Sequence, residues 1–186
     1  MGTTAKQAVD LIAIGEKFQF NDARERTSGQ RSEGIVTLGP GRNGPRAHIH
    51  TRQVEGFEVL SGTLVVVAGG RSVTLQNGES FIVAPGETHT FRNGDKLTPV
   101  VAKFWFEPAL KTEWMLQTMG AWAVERGGDW NKLPLLPTGY VLLIMRKEYR
   151  LAGIPFWVQD VLIGMLAGLA ILTGQARRVQ RSERPH

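Results

Sequence analysis

A chain of 186 residues, 42% hydrophobic and 21% charged, is long enough to bury one real core and falls outside the disordered and fibrous classes. It contains no cysteine, which excludes disulfides, thiolate metal sites and cysteine nucleophiles together and leaves imidazole, carboxylate and water as ligands for any bound metal. The net charge of +5 comes largely from a tail where Arg177, Arg178, Arg181 and Arg184 stand against Glu183, and with no arginine-aromatic stripe or groove-reading helix nucleic acid is not an expected partner.

Residues 1–15 read as an N-terminal segment. Lys6 and a short apolar run at 11–14 do not make a long apolar region with a small-residue cleavage site, so the expected location is the cytoplasm. From 16 to 108 the text is strands and turns: β-branched residues cluster, and glycine punctuates at short intervals. Strands are expected at 35–38, 47–51, 56–60, 64–68, 72–75 and 98–106. Gly69-Gly70 suits a tight hairpin because both positions accept positive φ. Asn77-Gly78 and Asn93-Gly94 mark further turns. Strands this short and evenly spaced predict a mainly β fold, a jelly roll or barrel.

After Pro108 the character changes. Residues 109–125 and 140–150 read as helices, and a third begins at Pro155, a favoured helix start, and runs to 172. Residues 109–186 are therefore a helical extension with a basic tail. The apolar run after Asp160 covers roughly 20 Å as a helix, short of the ~30 Å hydrocarbon core. Two readings stand for residues 133–174. Apolar helices with basic ends suit peripheral contact with the inner face of an anionic membrane, whereas Gly164 and Gly168 permit close packing on the barrel or on a second subunit.

The chemistry concentrates in two stretches. His48 and His50 stand at i and i+2 on a strand, so both imidazoles point to one face and can reach one point inside a barrel. Glu55 opens the next strand after a short turn, and His89 follows a Pro-Gly turn from another wall. Three imidazoles and one carboxylate suit a single divalent ion, Fe(II), Mn, Ni, Co or Zn, with one or two positions left for water or substrate.

These two stretches resemble the two motifs of the cupin superfamily. The first motif, G-x5-H-x-H-x(3,4)-E-x6-G, is met by His48, His50, Glu55 and Gly62, but Arg42 occupies the leading glycine position, with Gly41 and Gly44 nearby. The second, G-x5-P-x-G-x2-H-x3-N, is met by Gly78, Gly86, His89 and Asn93, with Ala84 where proline is usual and Pro85 one place later. Any one of these histidines alone is more often a satisfied polar residue. Three of the chain's four histidines, however, fall on motif positions. The resemblance implies a cupin-type jelly-roll barrel over 16–108, a metal held by His48, His50, Glu55 and His89, and a homodimer.

Extending the strand alternation puts Arg46 and Arg52 on the pocket face, where a guanidinium could hold an anionic substrate. Phe57, Phe91 and one of Phe104 or Trp105 are expected lining residues by the same logic, with plain core packing as the alternative. Lys103 reads as a solvent-facing strand lysine. Two functions remain in view. One is a metal-dependent oxidoreductase, dioxygenase-like, acting on a small organic substrate, with isomerase or lyase chemistry as its variant and Glu55 detaching to act as base. The other is a non-catalytic binding or sensing module whose helices dock on a membrane or partner.

Overall fold

A computed structural model of the chain describes residues 6 and 8–183, the last three by backbone only. Arg184, the Arg181 side chain and most of the N-terminal segment before Ala8 lie outside the described residues. The elements in chain order are β1 (Val9–Leu11), β2 (Glu16–Phe20), α1 (Ala23–Arg26), β3 (Ser32–Leu38), β4 (His48–His50), β5 (Val54–Ser61), β6 (Leu64–Ala68), β7 (Arg71–Leu75), β8 (Ser80–Val83), β9 (Thr88–Asn93) and β10 (Val100–Glu107). The second part holds α2 (Thr112–Glu125), α3 (Leu135–Met145), β11 (Tyr149–Leu151), α4 (Phe156–Leu172) and α5 (Ala176–Glu183).

The strands form two antiparallel sheets, β1-β2-β3-β10-β5-β8 and β11-β4-β9-β6-β7. Alternation along each strand decides what lies between them. On β3, Ser32, Gly34, Val36 and Leu38 are buried while the residues between them are at least partly exposed. On β10, Ala102, Phe104 and Phe106 join the core with Phe20, Phe57, Val59, Leu64 and Val66. This settles the choice between the two aromatics: Phe104 is inward. Trp105 packs on the outer face, with the Arg31 guanidinium 4.5 Å from its ring centre. Lys103 also faces outward and pairs with Glu58. The β6–β7 hairpin turns through Gly69 and Gly70 at φ of 55° and 77°, the positive values that tight turns need.

Glu16 shows how the extension is stitched to the barrel. Its carboxylate is buried and accepts a hydrogen bond from Trp130 Nε1 at 3.3 Å, while the Trp130 ring stacks on Phe18. Burial pushes the Glu16 carboxyl up to about 7, against the smaller opposing effect of the Trp130 hydrogen bond. Between the ordinary value of 4.5 and about 7 the folded chain therefore holds a proton that the unfolded chain releases, and stability falls as pH rises through that window. Glu16→Gln removes this loss. It is expected to raise stability at pH 8 by on the order of 2–3 kcal/mol and to give no gain near pH 4.5, read as melting temperature against pH.

The helical third departs from expectation in three places. The segment 140–150 is not one helix: α3 begins earlier, at Leu135, with Pro137 in the first turn where its missing N–H costs nothing, and it ends at Met145. Tyr149–Leu151 then forms a strand, because β4 would otherwise present an unpaired edge. Beyond α4, the basic tail is helix α5, whose Val179 is fully buried with Met115, Val141 and Met145. The helix expected from 109 begins at Thr112, after Gln53 Nε2 has donated to the carbonyls of Pro108 and Ala109. Its Gly120 packs so closely on Val9 that a Cβ would lie 2.7 Å from that side chain. Among the described residues, no helix is long and apolar enough to cross a membrane.

Candidate metal centre

The two sheets meet at a cluster of four side chains. β4 is only three residues long, with His48 and His50 inward and Ile49 between them half-buried. It pairs with β9 so that His48 lies directly opposite His89. Glu55 comes from the other sheet, at an inward position on β5 opposite Phe106 and Val83. Three imidazoles from one sheet and a carboxylate from the other thus converge between them, each residue no more than 4% exposed. One potential ligand atom from each lies within 4.8 Å of all the others, a grouping that could hold a metal ion.

The turn before β9 explains how His89 arrives there. Glu87 N–H donates to the Ala84 carbonyl at 3.2 Å, Pro85 sits second in the turn, and Gly86 is third with φ of 85°. That is a type II turn, which favours proline and then glycine at those places. Proline at 85 in place of 84 therefore serves the turn and leaves the ligand untouched. Gly86 N–H also donates to the His50 carbonyl at 2.8 Å, tying the turn to β4.

Tautomer and direction are fixed by the backbone. His48 Nδ1 lies 2.9 Å from the Arg46 carbonyl and His89 Nδ1 lies 3.0 Å from the Glu87 carbonyl. A carbonyl can only accept, so both Nδ1 atoms carry hydrogen and both Nε2 atoms turn inward, the arrangement of a metal-ligating imidazole. All three Nε2 atoms approach one oxygen of Glu55, at 2.7 Å from His89, 3.1 Å from His50 and 3.7 Å from His48. At His48 and His89, whose Nδ1 hydrogens are committed, an inward lone pair meets a carboxylate, and a cation or proton is required between them. The donor set fits a divalent transition ion.

The electrostatics follow. Burial would raise the Glu55 carboxyl, but its contact with the three imidazoles holds it well below the usual carboxylate range. Burial lowers His48 despite its contact with Glu55. At His89 burial also acts to lower, but Glu55 prevails and the ring is raised.

Of the other expected site residues, Arg46 and Arg52 are exposed. β4 is too short for its alternation to reach either of them, and both fall in the irregular segments that flank it. Phe57 and Phe91 do follow Glu55 and His89 on the inward faces of β5 and β9, yet they pack on each other at 5.0 Å within the hydrophobic core.

The residue that sequence reasoning missed is Tyr149. β11 pairs with β4 so that Tyr149 stands opposite His50 and Leu151 opposite His48. The Tyr149 ring stacks on His48 at 5.2 Å and meets His50 edge-on at 5.7 Å, while Phe106 packs on the other side of His50 at 5.1 Å. Burial, with a smaller contribution from the Glu55 charge, pushes the Tyr149 phenol far above its ordinary value, so it stays neutral. β11 is held from behind by Gln159, which accepts from Leu151 N–H at 3.0 Å and donates to the Leu151 and Ile154 carbonyls.

Residues 34–106 match the family described as Cupin domain. Similar solved structures include a predicted oxalate decarboxylase of Thermotoga maritima, 18% identical over 57% of this chain and 93% of that one, with a TM-score of 0.47. An RmlC-like cupin of Shewanella frigidimarina is 23% identical over 59% and 86% of the two chains, with a TM-score of 0.46. The Cnp3 cupin domain of Schizosaccharomyces pombe is 18% identical over 56% and 68%, also at 0.46. No curated protein matches the chain.

Proposed function

Residues 34–106 form a cupin domain, and from that premise we propose that His48, His50, Glu55 and His89 hold one divalent transition-metal ion and that the site is a metal-dependent, dioxygenase-like oxidoreductase centre for a small organic substrate. The observation that carries the metal is the direction of the imidazoles: backbone carbonyls fix the Nδ1 hydrogens of His48 and His89, and the Nε2 atoms are left facing a buried carboxylate. A bound ion would supply Lewis acidity and, if redox-active, a partner for dioxygen.

The chain's own residues do the rest. Glu55, the single carboxylate of the set, is held ionised by the imidazoles and would act as a base only on detaching from the ion. Tyr149 and Phe106 cover the imidazoles and exclude water, which strengthens every electrostatic interaction inside.

A second reading, a non-catalytic metal or small-ligand module, is favoured by closure: none of the four ligands is more than 4% exposed, and the Tyr149 ring lies against two of them. Oxygen consumption by the metal-loaded, full-length chain against a panel of phenolic and carboxylic compounds separates the two. The oxidoreductase reading expects uptake with Fe(II) and none in His50→Ala. A chain that keeps its metal but consumes no oxygen with any substrate or ion belongs to the second reading.

A further inference from the structure

We propose that α4 is a membrane-docking helix that lies in the plane of an anionic lipid surface. The helix packs one side on α3, where a Cβ at Gly139 would lie 2.4 Å from Leu166, and it buries Gln159, Ala167 and Ala170. The rest of its circumference is open. Trp157, Val161, Leu162, Met165, Leu169 and Leu172 are between 48% and 83% exposed. At 100° per residue these six span an arc of about 140°, and Asp160, about 60° outside it, is the only charged residue of the helix. Asp160 is already paired with Arg150 at 2.7 Å. A helix that faced water would carry polar residues on this arc.

Charge identifies the occupant. Arg146, whose field reaches Asp160, and Lys147 are exposed beside the start of α4. Arg177 and Arg178 are exposed just past its end. A second copy of α4, packed parallel or antiparallel, would set cations against cations at both ends. An anionic surface neutralises both ends together. Seventeen residues span about 25 Å at 1.5 Å per residue, short of the ~30 Å hydrocarbon core, so the helix lies along the interface and does not cross it. Trp157, 71% exposed, is the residue type that interfaces favour.

The test is flotation of the full-length chain with vesicles of phosphatidylglycerol and phosphatidylcholine in equal parts, beside vesicles of phosphatidylcholine alone. The expected result is recruitment to the mixed vesicles, at least about tenfold weaker on phosphatidylcholine and weakened by a similar factor in Arg177→Glu/Arg178→Glu or at roughly 0.5 M salt. Met165→Glu should abolish recruitment while its circular dichroism and melting temperature stay those of the parent, since Met165 faces solvent in the free chain. Equal binding to both vesicle types, or none, overturns the proposal. So does a dimer in lipid-free sedimentation that Met165→Glu dissociates while neither form floats, a result that assigns the face to a second copy.

Discussion

Replacing His89 with alanine is expected to abolish the thermal stabilisation that a divalent transition metal confers on the parent chain. An ion that binds the folded state alone adds about 2.7 kcal/mol when present at 100 times its dissociation constant. For a domain of this size that corresponds to a rise of about 5–10 °C in melting temperature. His89 contributes the shortest approach to Glu55, at 2.7 Å, and is only 1% exposed, so water has no ready route to replace the missing ligand. Affinity is expected to fall by more than the ~100-fold that loss of an outer hydrogen-bond partner can already cost. Differential scanning calorimetry with and without Co(II) or Zn(II) checks this: a large shift in the parent and almost none in His89→Ala. An equal shift in both chains places the ion elsewhere.

The second large effect lies outside the cupin motifs. Tyr149→Ala removes an aromatic ring packed against His48 and His50 and leaves a void beside the cluster. Deleting a large, well-packed side chain costs about 3–5 kcal/mol in a core, and the half-buried setting of Tyr149 places the expectation at the lower end, about 2–4 kcal/mol. Tyr149→Phe keeps the ring and is expected to stay within about 1 kcal/mol of the parent. Metal release into a chelator, followed by stopped flow, should be faster in the alanine variant and unchanged in the phenylalanine one. Release at the parental rate in Tyr149→Ala would mean that β11 merely closes a sheet edge and does not shield the cluster.

The contrast between these residues shows what the sequence made legible. His48, His50 and His89 were readable because ligand geometry constrains spacing: two imidazoles on one face require i and i+2, and a third from a facing strand requires a turn of fixed type. The β6–β7 hairpin was readable for the same reason, since Gly69 and Gly70 adopt φ values that few other residues accept. Arg46 and Arg52 lie exposed outside that pattern because alternation holds only while a strand continues, and β4 stops after three residues. Tyr149 was hidden because its place depends on partners far away in the chain. The segment from Arg146 onward carries helix-compatible residues, and only the open edge of β4, the Glu148 carbonyl accepting from Thr51 N–H at 2.9 Å, and the Gln159 amide behind the strand turn it into β-structure. No local pattern encodes that. The long apolar run after Asp160 was legible as a helix too short to span a bilayer, whereas the single exposed arc of α4 emerged only once α3 was seen to cover the opposite side.

The measurement that bears most directly on the account is the metal content of the purified, full-length chain by elemental analysis after reconstitution, beside His89→Ala. One equivalent of a divalent transition ion per parent chain, and close to none in the variant, is the predicted result. A well-folded parent that takes up no ion from Fe(II), Mn, Co, Ni or Zn would contradict it.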